Sequence, residues 1–485
     1  MKSHECEQNR PVRPDKRPMK STTQIQSTRL QRLNSQRPAK GKYVLYWIQQ
    51  SQRAEYNHAL EYAVQQANEL QLPLLVGFGL MDGYPEANWR HYRFMLEGLR
   101  ETEQALGRRG IRLVVQQGNP DEVALRLGKE AALIVCDRGY LRHQKQWRQR
   151  VADRAKCEMV QVEADAVVPV EVASEKAEIA ARTLRPKIRR HLGEYLTELR
   201  PTSPDHGSMG LKIKGMDLTN LDRALSKLRL DRSIMPVSLF QGGTSEARKL
   251  FKRFIREKLE GYDLHRNQPE TDYLSHMGMY LHFGQISPLY LAQQIMNGGD
   301  KPEEDRDCFL EELLVRRELS QNFVHYTQDY DRFTCLPPWA RATLGAHKKD
   351  ERPYRYSRAQ LEAAGTHDPY WNAAMREMKY TGYMHNYMRM YWGKKILEWS
   401  PTPEYAYEVT LALNNKYFID GRDPASFASV AWVFGLHDRP WPERVIFGKI
   451  RFMSASGLER KADPAAYIKK VDGLVARVEE NSRLT

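Results

Sequence analysis

Nowhere in its 485 residues does the sequence approach the roughly 20 consecutive apolar residues that a bilayer-spanning helix requires. Its N-terminus is polar and basic, with no apolar signal core, so neither a membrane-embedded nor a secreted protein is expected. Cysteine is scarce. The five, Cys6, Cys136, Cys157, Cys308 and Cys335, form no C-x-x-C pair, which excludes a thiolate zinc site by spacing and a disulfide framework; they read as reduced thiols. No G-x-G-x-x-G follows the first apolar run and no G-x-x-x-x-G-K-[ST] occurs, so the usual phosphate cradles of nucleotide-binding sheets are missing. There is no internal repeat.

What is present is positive charge, unevenly spread. The formal net charge is +14, yet residues 1–42 hold eleven Lys or Arg against Glu5, Glu7 and Asp15. The remainder is only mildly basic, so a nucleic-acid site there has to be a local patch. Residues 1–42 are rich in Pro, Gln, Ser and Arg and read as a disordered basic tail. From Tyr43 strand-length apolar runs alternate with helix-length segments: Tyr43 to Ile48, Leu72 to Gly79, Ile111 to Gln116, Ala132 to Cys136 and Met159 to Val162. The alternation predicts a doubly wound α/β domain with a parallel sheet over 43–165. Residues 166–245 read as a connector with some helix. From 246 to 485 long amphipathic patterns predict an all-α domain, with helices at Ser245 to Leu259, Phe309 to Tyr326, Asn372 to Trp399 and Pro403 to Tyr417.

The densest unusual stretch runs from Trp371 to Trp399. Trp392 and Trp399 are seven residues apart, about two turns, and share one helix face; Trp371 joins that face if the helix is straight, or lies beside it if the helix breaks at Gly382. Such a stripe suits electron hopping between indoles, although taken alone it more often marks core packing. Arg389 on the same helix needs an anionic partner, for which Asp420 is the candidate, either as a staple between helices or as part of a site. Ser275-His-Met-Gly278 precedes a helical run and suits either a capped helix start or a phosphate contact.

A resemblance is carried by Tyr262-x3-Arg266, Tyr-Leu-His-Phe-Gly-Gln-Ile-Ser-Pro288, Phe309-Leu-Glu-Glu-Leu, Thr366-His-Asp-Pro-x-Trp-Asn, Thr381-Gly-Tyr-Met-His-x-Tyr-Met-Arg-Met-Tyr-Trp-x-Lys-Lys-Ile-Leu-Glu-Trp399, Asp420-Gly-Arg-Asp-Pro, His437-Asp-Arg-Pro-Trp and Gly448-Lys-Ile-Arg. Together these segments resemble the class II cyclobutane pyrimidine dimer DNA photolyases of the cryptochrome/photolyase superfamily. The likeness runs from about residue 43 onward and includes Ser51-Gln-Arg-Ala-Glu-Tyr-Asn-His-Ala-Leu. It implies a Rossmann-like N-terminal antenna-type domain and a helical domain holding FAD. The reduced flavin would pass one electron, on illumination, to a dimer flipped out of UV-damaged DNA.

By this resemblance, Tyr262 and the segment Leu274, Ser275, His276, Met277 and Gly278 contact the diphosphate and ribityl chain, and Gln285 also binds the cofactor. Arg389 and Asp420 form an ion pair beside the isoalloxazine, with Gly421 and Arg422 in the same turn, and Asn414 faces flavin N5. Glu312 would hydrogen-bond the dimer carbonyl, best as a protonated acid, and Trp432 would pack on the dimer. Trp392, Trp371 and Trp399 correspond to the photoreduction chain, in that order outward, with Tyr391 and Tyr356 as auxiliary aromatics. Arg266, Asn386, Tyr387, Arg439 and Arg451 correspond to positions that hold DNA or fill the hole left by the dimer. Two departures stand out. Ser275-His-Met-Gly278 replaces the more usual Ser-Asn-Leu-Ser, and Arg316 stands where some relatives carry a tryptophan. The resemblance also implies a possible antenna pigment, a deazaflavin or a folate, between which no readable signature chooses. No metal is implied, and a monomer is expected. Such an enzyme works in a cytoplasm beside the nucleoid in a bacterium or archaeon, or in a eukaryotic nucleus or organelle. The alternative is a cryptochrome-like photoreceptor sharing fold and tryptophans but signalling to a partner.

Overall fold

A computed structural model describes residues 21–484. Five parallel strands form the centre of the first layer: β2 (Tyr43–Trp47), β3 (Leu74–Leu80), β4 (Arg112–Gln117), β5 (Ala131–Asp137) and β6 (Glu158–Val162). β2, β3 and β5 are buried along their whole length, as strands covered on both faces must be, and this explains their continuous apolar runs. The covering helices are α1 (His58–Glu69), α2 (Trp89–Arg108), α3 (Pro120–Gly128) and α4 (Arg142–Arg154). α3 starts where Pro120 occupies its first turn, with Asp121 and Glu122 beside it to complement the helix dipole.

The basic tail needs correction. Leu30–Arg32 forms a further strand, β1, antiparallel to β6, and the sheet order is β1-β6-β5-β2-β3-β4. Ser21–Thr22 pairs in parallel with Glu198–Leu199 as a separate two-stranded ribbon. Arg29 is buried and donates to the carbonyls of Glu163, Ala166 and Val167 at 3.0, 3.0 and 2.6 Å. These contacts, and not local propensity, order the segment from residue 21; residues 1–20 of the expected tail lie outside the described residues.

Beyond the sheet, α5 (Ala181–Tyr195) crosses the connector and α6 (Thr244–Glu257) opens the helical part. The helix expected over Phe309 to Tyr326 is composite: α7 (Glu303–Leu310), a π-helical turn (Glu311–Arg316) and α8 (Arg317–Tyr326). The pattern from Asn372 to Trp399 is two helices, α9 (Pro369–Thr381) and α10 (Asn386–Trp399). Asp368 caps α9 by accepting from Tyr370 N and Trp371 N, both at 3.0 Å, and Gly382 ends it at φ +69°. α11 (Pro403–Tyr417), α12 (Pro424–Val433) and α13 (Pro464–Leu484) complete the layer.

The sheet and the helices share one apolar core that runs from Val44, Val76 and Leu99 to Phe251, Tyr280 and Leu314. Polar ties cross the same boundary. Arg53 pairs with Asp165 at 2.7 Å and donates to Gly284 O at 3.0 Å. Gln285, expected at the cofactor, is placed here instead: its amide donates to Phe94 O at 3.2 Å and accepts from Gly243 N at 2.8 Å. A Cβ on Gly98 would lie 2.2 Å from its Nε2, so α2 presses directly on this side chain.

Candidate cofactor and lesion site

The turn between α11 and α12 and the N-terminal half of α10 bring the first group together. Arg389 and Asp420 form a bidentate pair at 3.1 and 3.2 Å. Both are partly buried, not fully, so one face of the pair stays open. The guanidinium also donates to Met384 O at 3.0 Å and lies 3.9 Å over the Phe418 ring, which fixes its plane. Gly278 is exposed, and a Cβ there would sit 2.9 Å from Asp420 Oδ2. The small residue therefore leaves a gap against the ion pair that an alanine would close. Asn414 is buried and donates to Asn415 Oδ1 at 2.9 Å and Ser426 Oγ at 2.5 Å, while its own Oδ1 accepts nothing among the described residues. Gly421 is packed on backbone, 2.9 Å from Asn414 O at the Cβ position.

The segment Leu274–Gly278 is less uniform than the expectation. Ser275 Oγ accepts from Met277 N at 3.4 Å, Met277 is buried, and His276, at φ +56°, bonds Asp272 at 2.9 Å and meets the Tyr383 ring at 4.7 Å. The helix that follows spans only Gly278–His282. Arg422, expected to contact the cofactor, is buried and turned toward the sheet layer: its guanidinium donates to Asn415 O and lies 3.2 Å from His91 Nε2 on α2. Burial pulls its pKa down to about 10, outweighing the raising influence of Tyr84, Glu86 and Asp420. Tyr262 is buried beside Phe254 and Phe309, and its hydroxyl has no hydrogen bond among the described residues.

Three buried indoles form a continuous path. Because α9 ends at Gly382 and α10 folds back beside it, Trp371 stacks on Trp392 with ring centres 6.4 Å apart and planes at 12°. Its Nε1–H donates to Trp392 O at 2.9 Å. Trp399 meets Trp371 edge-on at 5.5 Å, and Tyr356 meets Trp399 at 5.3 Å. Trp392 Nε1 is buried and finds no acceptor among the described residues. Tyr391 is placed off this line; its hydroxyl donates to the capping carboxylate of Asp368, and burial together with that carboxylate pushes its pKa up. His367, not anticipated in this role, bonds Tyr356 Oη at 2.7 Å and stacks on the exposed Tyr354 at 3.7 Å.

The π-helical turn presents Glu312 to Arg266, and their side chains pair at 2.7 Å. Arg266 also reaches Cys308 Sγ at 3.0 Å and lies over the Tyr262 ring. The expected protonated acid is not what this arrangement holds. Burial acts to raise the Glu312 pKa, but Arg266 and then Arg316 outweigh it and hold the carboxyl below its ordinary value. In the DNA-free chain Arg266 is thus paired with an acid. Trp432, at the end of α12, is half-buried between two cations, Lys394 at 5.1 Å and Arg451 at 5.5 Å. Arg451 is held by Asp438 at 2.9 and 3.2 Å and stacks on Trp441 at 4.4 Å. Arg439 and Asn386 are exposed, and Tyr387 is half-buried. Sequence reading missed Lys394. It is fully buried, donates to Val433 O, and burial pulls its pKa down to about 7. A lysine inside the apolar face of α10 was the available signal.

The sequence model described as DNA photolyase matches residues 44–205. A deoxyribodipyrimidine photo-lyase of Methanothermobacter thermautotrophicus is 50% identical over 455 residues, covering 93% of this chain and 99% of the relative. The fold is similar to that of a bacterial class III photolyase from Agrobacterium tumefaciens, with a TM-score of 0.70 at 18% identity over 89% of this chain and 87% of that one. It is also similar to an archaeal photolyase from Sulfolobus tokodaii solved with two FAD molecules, with a TM-score of 0.67 at 16% identity over 88% and 89% of the two chains. With half its residues shared across nearly the full length of a deoxyribodipyrimidine photo-lyase, the chain belongs to the DNA photolyase family.

Proposed function

We propose that this protein splits cyclobutane pyrimidine dimers in UV-damaged DNA under light, as a class II enzyme that binds FAD beside Arg389, Asp420 and Asn414. The observation that carries the reading is the indole path, which begins at Trp392, whose ring meets Phe418 beneath Arg389 and whose Nε1 has no partner among the described residues, and ends at Tyr356. A buried aromatic stripe alone is core packing, but one that joins a half-open ion pair, an open amide oxygen and an exposed glycine has a ligand-shaped use.

The donor set fits a flavin dinucleotide. Gly278 leaves room against Asp420, the Tyr262 hydroxyl and Asn414 Oδ1 are free to bond a ligand, and Arg389 supplies positive charge fixed by Asp420 and Phe418. When bound, FAD supplies the photochemical electron that the reaction lends and recovers. Arg389 holds a cation where a reduced ring carries its negative charge, and Asp420 keeps that cation in place. Trp392, Trp371 and Trp399 relay electrons inward to restore the reduced cofactor. Trp432, flanked by Lys394 and Arg451, offers an aromatic surface for an extruded pyrimidine dimer. Glu312 acts in two states: neutralised by Arg266 in free protein, and, once a DNA phosphate draws Arg266 away, pushed by burial toward the protonated form that donates to a dimer carbonyl.

Reduced, FAD-loaded protein illuminated with dimer-containing DNA should restore thymine absorbance, with no change in a dark control. Equal loss of dimer in the dark, or none in the light, removes the assignment. Trp392→Phe should abolish photoreduction of the oxidised cofactor while chemically pre-reduced enzyme still repairs.

A further inference from the structure

Arg185 on α5 is buried and forms a bidentate pair with Glu311 at 2.9 and 2.7 Å, joining α5 to the π-helical turn that carries Glu312. Arg316 approaches the same Glu311 at 3.4 Å. Arg182 and Arg189 stand three residues before and four after Arg185, so all three lie along one helix edge, neighbours spaced by about 5–6 Å. Unlike Arg185, both are exposed, and neither has an ion-pair partner among the described residues. Two acids touch this helix and both are engaged: Glu311 is shared between Arg185 and Arg316, and Glu178 pairs with Lys187. Just upstream of the helix, Ile179 is 68% exposed, and its carbonyl meets His437 Nδ1 at 3.1 Å in the turn that holds Asp438 and Arg439. The α5 edge is therefore continuous with both the Glu312 turn and the His437–Arg439 turn.

We propose that Arg182 and Arg189 contact the phosphate backbone of the duplex flanking the lesion, extending the DNA footprint from the Glu312 site onto the connector. The inference rests on the DNA-repair reading above and adds a surface that none of the expected DNA contacts includes. Two guanidiniums without an ion-pair partner among the described residues, on a helix fixed to the site by a buried ion pair, offer positive charge to a backbone bearing a negative charge at every nucleotide. Such contacts position the duplex without reading its sequence.

The test uses the full chain and two fluorescent duplexes of equal length, one with a dimer and one without, with binding measured by anisotropy across a salt series. The Arg182→Ala/Arg189→Ala variant should show a log–log salt slope shallower by about 1.8, at about 0.9 for each lost phosphate contact, on both duplexes alike. Arg182→Lys/Arg189→Lys should recover most of that slope, which separates lost charge from a folding defect. An unchanged slope in the alanine variant overturns the proposal and leaves this edge a solvated face. Failure of the wild-type protein to repair the dimer in light would instead sink the functional reading, so the two failures are distinct.

Discussion

Arg266 and Glu312 neutralise each other in the DNA-free protein, and this pairing has a definite pH signature. Because Arg266 holds the Glu312 pKa below its ordinary value, the stability from the pair is complete above the usual carboxylate range and is lost as pH falls through the lowered value. Arg266→Ala should therefore raise the Glu312 pKa and cost about 1–2 kcal/mol at neutral pH, between the values for exposed and buried pairs. Infrared titration of the protonated carboxyl band, with Glu312→Gln as the assignment control, measures the shift; a band that titrates identically in both backgrounds would refute it. Lys394 behaves oppositely. Its pKa is depressed by burial to about 7, so folding penalises its charge below that value, and stability should rise from pH 7 toward pH 10 as the unfolded chain retains the proton. Lys394→Met should flatten that rise, by up to about 1.4 kcal/mol per pH unit for one proton, in urea denaturations. Identities such as Glu312 and Arg266 were readable in the sequence, but their mutual pairing was not, since 46 residues separate them and only the π-helical turn brings them together.

At the scale of elements, the indole path depends on the break between α9 and α10. Gly382 adopts φ +69°, and a Cβ there would lie 2.7 Å from Ile419 Cγ1, so Gly382→Ala combines backbone strain with a clash. It should destabilise the protein by about 1–3 kcal/mol and pull Trp371 off Trp392, visible as a changed near-UV circular dichroism band and slower photoreduction. A variant with wild-type stability and spectrum would show that the turn does not set the stack. The spacing of Trp371, Trp392 and Trp399 signalled one face or two adjacent faces, and Gly382 marked where the choice fell, without deciding it. α11 was legible because Thr402 and Pro403 start it and its pattern ends at Tyr417. The π-helical turn was not: one extra residue within a single turn shifts the phase of an apolar pattern too little to be read from Phe309 to Tyr326. β1 was likewise invisible, being three residues with no apolar alternation, ordered by the buried Arg29 beside it.

Across the whole molecule, the sheet and the helices behave as one packed body because a common core and buried polar ties such as Gln285 cross between them. Gln285→Ala would leave Gly243 N without its acceptor and should lower stability by about 1–3 kcal/mol. A single chemical-denaturation transition should persist, followed both by tryptophan fluorescence and by far-UV circular dichroism; separate midpoints would show that the halves unfold independently. The alternation of apolar runs determined the parallel α/β layer and the amphipathic patterns the helical remainder, because periodicity and end signals are local properties of the chain, while the site residues were named by the resemblance of their motifs. Tertiary structure alone decided which of those residues meet: it turned Gln285 and Arg422 toward the sheet layer, closed Arg266 on Glu312, and stacked Trp371 on Trp392. Those outcomes depend on burial and on contacts between segments distant along the chain, where desolvation sets the cost of leaving a charge or an amide unpaired.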